Sequence, residues 1–251
     1  MSKIIAIWGS PGAGCTTFAV KLIKYIYKSQ DAKVIGIFAD NQTPALPVLF
    51  PNTRKEFLPS MGGLMSRTQI EKRDMLNYLV TFKKYKNVGF LGYADGENKY
   101  TYPEFSESKA KNLIETVSSA ADYVIIDCST DLNEPFNYTA VQNADVLIKL
   151  CAPTLKSVSY FSSQLPLYSD LVFKPETYIA GLVETEKERY MPLSEAKEHF
   201  GNIKFVIPYC GSLRQQLMDG KLLESVSDSN FNGKISKIAE MVATTIDSYK
   251  N

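Results

Sequence analysis

Histidine is almost missing from this chain: His199 is its single representative among 251 residues. The four cysteines, Cys15, Cys128, Cys151 and Cys210, stand far apart with no Cys-x-x-Cys pair. These two shortages exclude the usual zinc-ligand spacings and give no disulfide framework. The cysteines read as small apolar residues in a reducing compartment, and His199 as a surface or packing residue. An excess of one charge is lacking too. The 28 basic and 27 acidic side chains leave a net charge of +1, so there is no bulk attraction to nucleic acid or to an anionic membrane. No apolar run is long enough to span a bilayer, and Met1-Ser2-Lys3 passes straight into an apolar stretch without a secretory leader. The expected location is cytoplasmic, with any membrane contact indirect. Repeats, low-complexity tracts and linkers are absent, and the expected organisation is one domain over residues 1–251.

What the chain does have is a regular alternation of short apolar runs and helical stripes. Strands are expected at 3–8, 33–39, 87–91, 123–127, 145–150, 178–183 and 204–208. Between them the pattern predicts helices, including one after residue 17 with Phe18, Leu22, Tyr25 and Ile26 on one face. Another covers 107–121, with Ala110, Leu113, Ile114 and Val117 as its stripe. Short helices are expected over 136–143, 194–200 and 213–218, longer ones over 155–171 and 235–249. Residues 65–84 read as a polar helix or helix pair with Met75, Leu76, Leu79 and Phe82 inward. The proline-punctuated stretch 43–51 reads as an ordered loop that cannot be regular helix. The sum is an α/β fold with a mostly parallel twisted sheet of about seven strands, covered by helices on both faces.

One stretch organises the rest. Gly9-Ser10-Pro11-Gly12-Ala13-Gly14-Cys15-Thr16-Thr17 lies between the first strand and the first helix. Strand, glycine-rich loop and helix form the context of a phosphate-binding loop, G-x-x-x-x-G-K-[ST]. Gly9, Gly14 and Thr16 fit, but Cys15 occupies the lysine position. The loss of one charged hydrogen bond costs about 1.5–3 kcal/mol, or roughly ten- to a hundredfold in affinity. The loss should weigh more on phosphoryl transfer, where charge builds up in the transition state. The backbone cradle does not depend on that side chain. Binding is therefore expected to outlast hydrolysis. Asp127, closing an apolar strand, is a candidate to hold magnesium through water, with Thr16 supplying a hydroxyl; a helix or turn cap is the other reading of Asp127. Asp40, at the end of the second strand, either orders a catalytic water or the metal shell, or is an ordinary turn residue. Cys15 and Cys128 would both stand near the phosphates, and a redox pair there is a further reading. Lys21 and Lys24 lie more than a turn past the loop and should point elsewhere.

These motifs, taken together, resemble the deviant-Walker ATPases of the ParA/MinD type, and a TadZ-like or conjugation-associated branch is compatible. The residues that carry the resemblance are Ser10 to Thr17, Phe38-Ala39-Asp40-Asn41-Gln42, the Tyr123–Asp127 strand, Asn143 to Ile148, Ala152-Pro153-Thr154, and Phe205-Val206-Ile207-Pro208 followed by Ser212-Leu213-Arg214. It spans nearly the whole chain, with 44–105 weakly constrained. It implies ATP or ADP with Mg2+ as cofactors. Residues 9–17 would take the phosphates, and Glu184 and Pro208 would stand beside the base. It also implies a homodimer and a protein partner in a positioning, secretion or conjugation assembly. The family's signature lysine, which reaches the other subunit's phosphates, is Ser10 here, so both loop lysines are absent. The expectation is a regulatory protein with weak or no ATP hydrolysis. An ATPase with a substitute basic residue such as Arg214, or a nucleotide-free scaffold, are the alternatives. Some family members end in a membrane-binding helix. The Ile235, Ile238, Ala239, Val242 and Ile246 stripe reads here as core packing instead.

Overall fold

The structure, a computed structural model, describes residues 2–168, 175–187 and 191–250. Its centre is β1 (Lys3–Gly9), whose Ile5, Ala6, Ile7 and Trp8 are all fully buried. A strand apolar on both faces needs cover on both, and alternate residues supply it. Ile5 and Ile7 enter one core with α1 (Cys15–Gln30), while Ala6 and Trp8 enter the other. The remaining strands are β2 (Val34–Phe38), β3 (Val80–Phe82), β4 (Tyr85–Gly92), β5 (Tyr123–Asp127), β6 (Val146–Cys151), β7 (Tyr178–Val183) and β8 (Ile203–Ile207). They form one sheet in the order β3-β4-β2-β5-β1-β6-β7-β8. All pairs are parallel except β3 with β4.

The helices following these strands are α2 (Leu46–Leu49), α3 (Met61–Met65), α4 (Lys72–Asn77), α5 (Glu107–Ser118), α6 (Pro135–Asn143), α7 (Leu155–Gln164), α8 (Leu193–Phe200), α9 (Gly211–Met218) and α10 (Ser229–Lys250). The α5 stripe of Ala110, Leu113, Ile114 and Val117 is buried as its spacing predicts. So is the α10 stripe, in the core that α1 shares. Among the described residues no helix is long and apolar enough to cross a membrane.

The mostly parallel sheet stands as expected, and three expectations within the fold are corrected. The sheet has eight strands, because residues 80–82, taken as helix, pair antiparallel with β4 as its edge. The 65–84 segment therefore splits into the end of α3, the short α4 and β3, and Leu76 is exposed. Residues 46–49 do form one helical turn, with Pro47 in its first positions, where a missing N–H costs nothing. The helix expected over 155–171 ends at Gln164 and continues as 3-10 turns over Leu165–Tyr168; the rest of that expectation, 169–171, lies outside the described residues.

Since β1 is flanked by β5 on one side and β6 on the other, the chain reverses direction across the sheet at its first strand. Crevices that receive ligands open at the carboxyl ends of strands at such a point.

Candidate functional site

The loop after β1 is shaped by backbone constraints first. A Cβ on Gly9 would stand 2.4 Å from the Leu150 carbonyl oxygen and 2.7 Å from Cys15 Sγ, so only glycine fits against β6. Gly12 and Gly14 adopt left-handed conformations, with φ of 77° and 79°. Gly14 is the N-cap of α1 and provides no side-chain cap, and no acidic residue occupies the first turn. The positive end of the helix and its first N–H groups are thus presented to a cleft of ≈ 440 Å³. Residues 9–17 line this cleft together with Asp40, Gln42, Asp127 and Ser129. Among the described residues, no lysine or arginine lines it.

Ser10 and Cys15 explain that shortage in structural terms. Ser10 is 2% exposed, and its hydroxyl is 2.8 Å from that of Ser157 on α7. A side chain so enclosed cannot reach out of the molecule. Burial pushes the Cys15 thiol well above its ordinary range, with Asp127 and Cys128 adding to the effect. The Cys128 thiol is raised in the same way, by burial and then by Asp127. Both shifts favour the protonated thiol over the thiolate.

Asp127 closes the floor of the cleft. It is 4% exposed, and Thr16 Oγ1 donates to its Oδ2 at 2.5 Å, whereas Oδ1 is buried without a hydrogen-bond partner. Burial raises its carboxyl to about 7; the Thr16 hydrogen bond opposes the shift and Asp40 adds to it. An orphaned buried carboxylate oxygen beside a threonine hydroxyl is the oxygen-donor set a hard cation requires, so these residues fit magnesium. The cap reading of Asp127 does not apply, since among the described residues its carboxylate accepts from the Thr16 hydroxyl and from no backbone N–H. Asp40 lines the same cleft, and its Oδ1 accepts from the backbone N–H of Gln42 at 2.8 Å and Thr43 at 2.9 Å. It shapes the turn after β2 while facing the site.

A second cleft, of ≈ 510 Å³, is contiguous with the first through Gly12, Gly14, Thr17 and Leu217. Phe18, Glu184, Pro208, Arg214 and Met218 are among its walls. It is mostly apolar, with Glu184 buried at its edge and Arg214 exposed on α9. The structure thus brings residues 9–17, Asp40, Asp127, Glu184 and Pro208 around two joined clefts. Lys21 and Lys24 do point elsewhere: the Lys21 ammonium donates to Gln216 Oε1 and to the carbonyls of Leu222 and Glu224, and Lys24 donates to the Leu223 carbonyl. Ser157, Leu217 and Met218 were not legible as site residues; each reaches the site from a distant element, with no local motif to mark it.

No family model matches the chain. An uncharacterized ATP-binding protein of Methanocaldococcus jannaschii is 24% identical over 256 residues, covering 95% of this chain and 98% of that one. Among solved structures, a ParA family ATPase from Chlorobium tepidum superposes with a TM-score of 0.77 at 14% identity, over 96% of this chain and 99% of its own. The septum site-determining protein MinD of Pyrococcus horikoshii, complexed with Mg-ADP, gives a TM-score of 0.71 at 18% identity, over 96% of each chain. The eight-stranded sheet described above is thus the P-loop fold of the ParA and MinD ATPases, carried over nearly the whole of this chain.

Proposed function

We propose that the chain is a nucleotide-binding regulatory or positioning protein that takes ATP or ADP with Mg2+ in the two joined clefts and hydrolyses it weakly or not at all. The carrying observation is the phosphate cleft itself. It retains the left-handed Gly12 and Gly14 and an uncapped helix start, yet no lysine or arginine among the described residues lines it. Backbone N–H groups of residues 12–17 would hold the phosphates, and the apolar second cleft would take the base against Pro208, with Glu184 accepting from an exocyclic amino group. Thr16 and Asp127 would hold magnesium, which supplies the positive charge that the side chains do not. Without a lysine to follow charge onto the transferred phosphoryl group, transition-state stabilisation falls more than ground-state binding. Nucleotide-dependent dimerisation or partner docking would then be the output, in a positioning, secretion or conjugation assembly, and the whole chain would act as one unit. That one similar protein is an ATP-binding protein and another is complexed with Mg-ADP supports the choice of ligand.

Calorimetry with Mg-ATP and Mg-ADP, paired with sizing and a phosphate-release assay, tests this reading. The expected Kd is about 10 µM to 1 mM, reflecting the loss of one or two charged contacts. Turnover should be at background. Robust hydrolysis abolished by Asp40→Ala would establish a working ATPase instead. Silence at millimolar nucleotide would leave a scaffold.

A further inference from the structure

The loop after β5 is held by a buried side chain that no local motif marks. Asn137, near the start of α6, is fully buried. Its Oδ1 accepts from the Ser129 N–H at 2.9 Å, and its Nδ2 donates to Ser129 Oγ at 2.9 Å and to Glu134 Oε2 at 2.8 Å. An N–H can only donate, so Ser129 fixes which way the amide faces. Ser129 Oγ also donates to the Asp131 carbonyl at 3.1 Å and accepts from the Asp131 N–H at 3.2 Å. That fills its one donor and both lone pairs. Ser129 lines the cleft of the glycine-rich loop, yet its N–H and hydroxyl are engaged with α6 and with its own loop.

Glu134 completes the tie. As the N-cap of α6 it also accepts from the Asn137 backbone N–H at 3.0 Å. It lines, with Tyr93, Glu104 and Asp131, an acidic cleft of ≈ 490 Å³ walled by the 93–105 loop. Asp131 and Glu104 act on it electrostatically, so residue 137 must donate to a carboxylate that already has like charges nearby. An aspartate of the same shape would be repelled there.

A further observation gives this tie a role. Asp127 Oδ1 is buried without a hydrogen-bond partner. An unpaired buried acceptor costs free energy, and a loop free to move would carry it to water or to an N–H. This loop is not free. The Ala39 N–H donates to the Asp127 carbonyl at 2.9 Å, the Cys128 N–H donates to the Ile7 carbonyl at 2.9 Å, and Asn137 holds the next residue.

We infer that Asn137 is a positioning residue for the cation site: by fixing Ser129 it keeps the Asp127 carboxylate in place, with one oxygen open, before a metal arrives. This rests on the reading of Thr16 and Asp127 as the pair that holds magnesium. Among the described residues α6 lines neither of the two joined clefts, so it acts on the site through this amide. Groups that hold a ligand residue in place commonly matter about tenfold or more in metal affinity.

The test compares the full chain with Asn137→Ala, with Asn137→Asp, which keeps the shape, and with Leu113→Ala in the buried α5 stripe as a control for lost stability. The first readout is the factor by which Mg2+ tightens ATP binding, from calorimetry with Mg2+ and with EDTA. Both Asn137 variants should lower that factor about tenfold, with the Kd in EDTA within about twofold of the parent. Leu113→Ala should leave the factor as it is. The second readout needs no ligand. In the metal-free protein the Ser129 amide should exchange about tenfold faster in Asn137→Ala, beyond any change at the β1 amides, which open with the whole fold. A Mg2+ factor undiminished in both Asn137 variants, or diminished equally in Leu113→Ala, overturns the inference. So does a Ser129 amide that follows β1. A parent whose ATP binding ignores Mg2+ overturns the reading of Thr16 and Asp127 itself, and the parent alone reveals that.

Discussion

At the scale of single residues, the cleft proposed to take phosphate is defined by what Cys15 and Asp127 do to its charge. Cys15 opens α1 beside the cleft and its thiol is neutral. Cys15→Lys should therefore tighten Mg-ATP binding by roughly ten- to a hundredfold in calorimetry, the worth of one charged hydrogen bond. An unchanged Kd would show that this turn does not face the phosphates. Asp127 makes a prediction of its own, on stability. Its folded carboxyl titrates near 7 against an ordinary 3.8, with burial as the main cause. The folded protein thus keeps this proton after the unfolded chain has released it. The resulting stability is fully present below about 3.8 and is lost as pH rises to about 7. Asp127→Asn should flatten that decline and leave the metal-free protein about 1–3 kcal/mol more stable at pH 8 than the parent. Urea unfolding at pH 4.5 and pH 8 measures it. In Mg-ATP the order should reverse, because the variant loses the carboxylate proposed to hold magnesium through water.

At the scale of elements, α1 is tied to the segment after α9 by two lysines. Lys21 is 4% exposed; burial, and then Lys24, push its amine down to about 7. Yet Gln216 Oε1 and two carbonyl oxygens surround its nitrogen, and only the ammonium form supplies all three with protons. Lys21→Met should destabilise the fold by about 2–4 kcal/mol, since it strands buried acceptors. It should also speed exchange of the 222–226 amides in native-state hydrogen exchange; equal stability would mean that the segment is held by Leu222 and Val226 alone. This tie also shows what sequence patterns can carry. The glycine-rich loop between β1 and α1 was readable because its signal is local, nine residues between an apolar run and a helical stripe. The partners of Ser10 and Lys21 lie 147 and 201 residues away, and nothing in either neighbourhood marks them. The third strand failed for a related reason. Met75, Leu76, Leu79 and Phe82 mimic a helical face, but pairing of Val80 with Phe90 outweighs that local pattern at the sheet edge. The start of α10, six residues before its apolar stripe, was hidden by Gly233. Asp228 Oδ1 fixes it by accepting from the Phe231 N–H at 2.9 Å.

At the scale of the molecule, the two joined clefts draw on the loops after β1, β2, β5, β7 and β8, which flank or lie near the centre of the sheet. Strands β3 and β4 at one edge contribute no lining residue to either. A nucleotide bridging the clefts would therefore couple the α1 side of the fold to α9, while leaving the β3–β4 hairpin untouched. Binding stabilises the folded state by RT ln(1 + [L]/Kd), about 2.7 kcal/mol at a hundredfold excess over Kd. That gain should not be uniform across the chain. Hydrogen exchange with and without Mg-ATP should show slowing concentrated in residues 9–18, 40–45, 127–130, 183–185 and 208–218. Amides of 80–86 should change only as far as they open through global unfolding. Protection confined to 9–18 would mean that phosphate alone is held and the apolar cleft does not receive the base. Protection centred on the 93–105 loop would move the nucleotide to the acidic cleft, a result that the net negative lining of that cleft argues against.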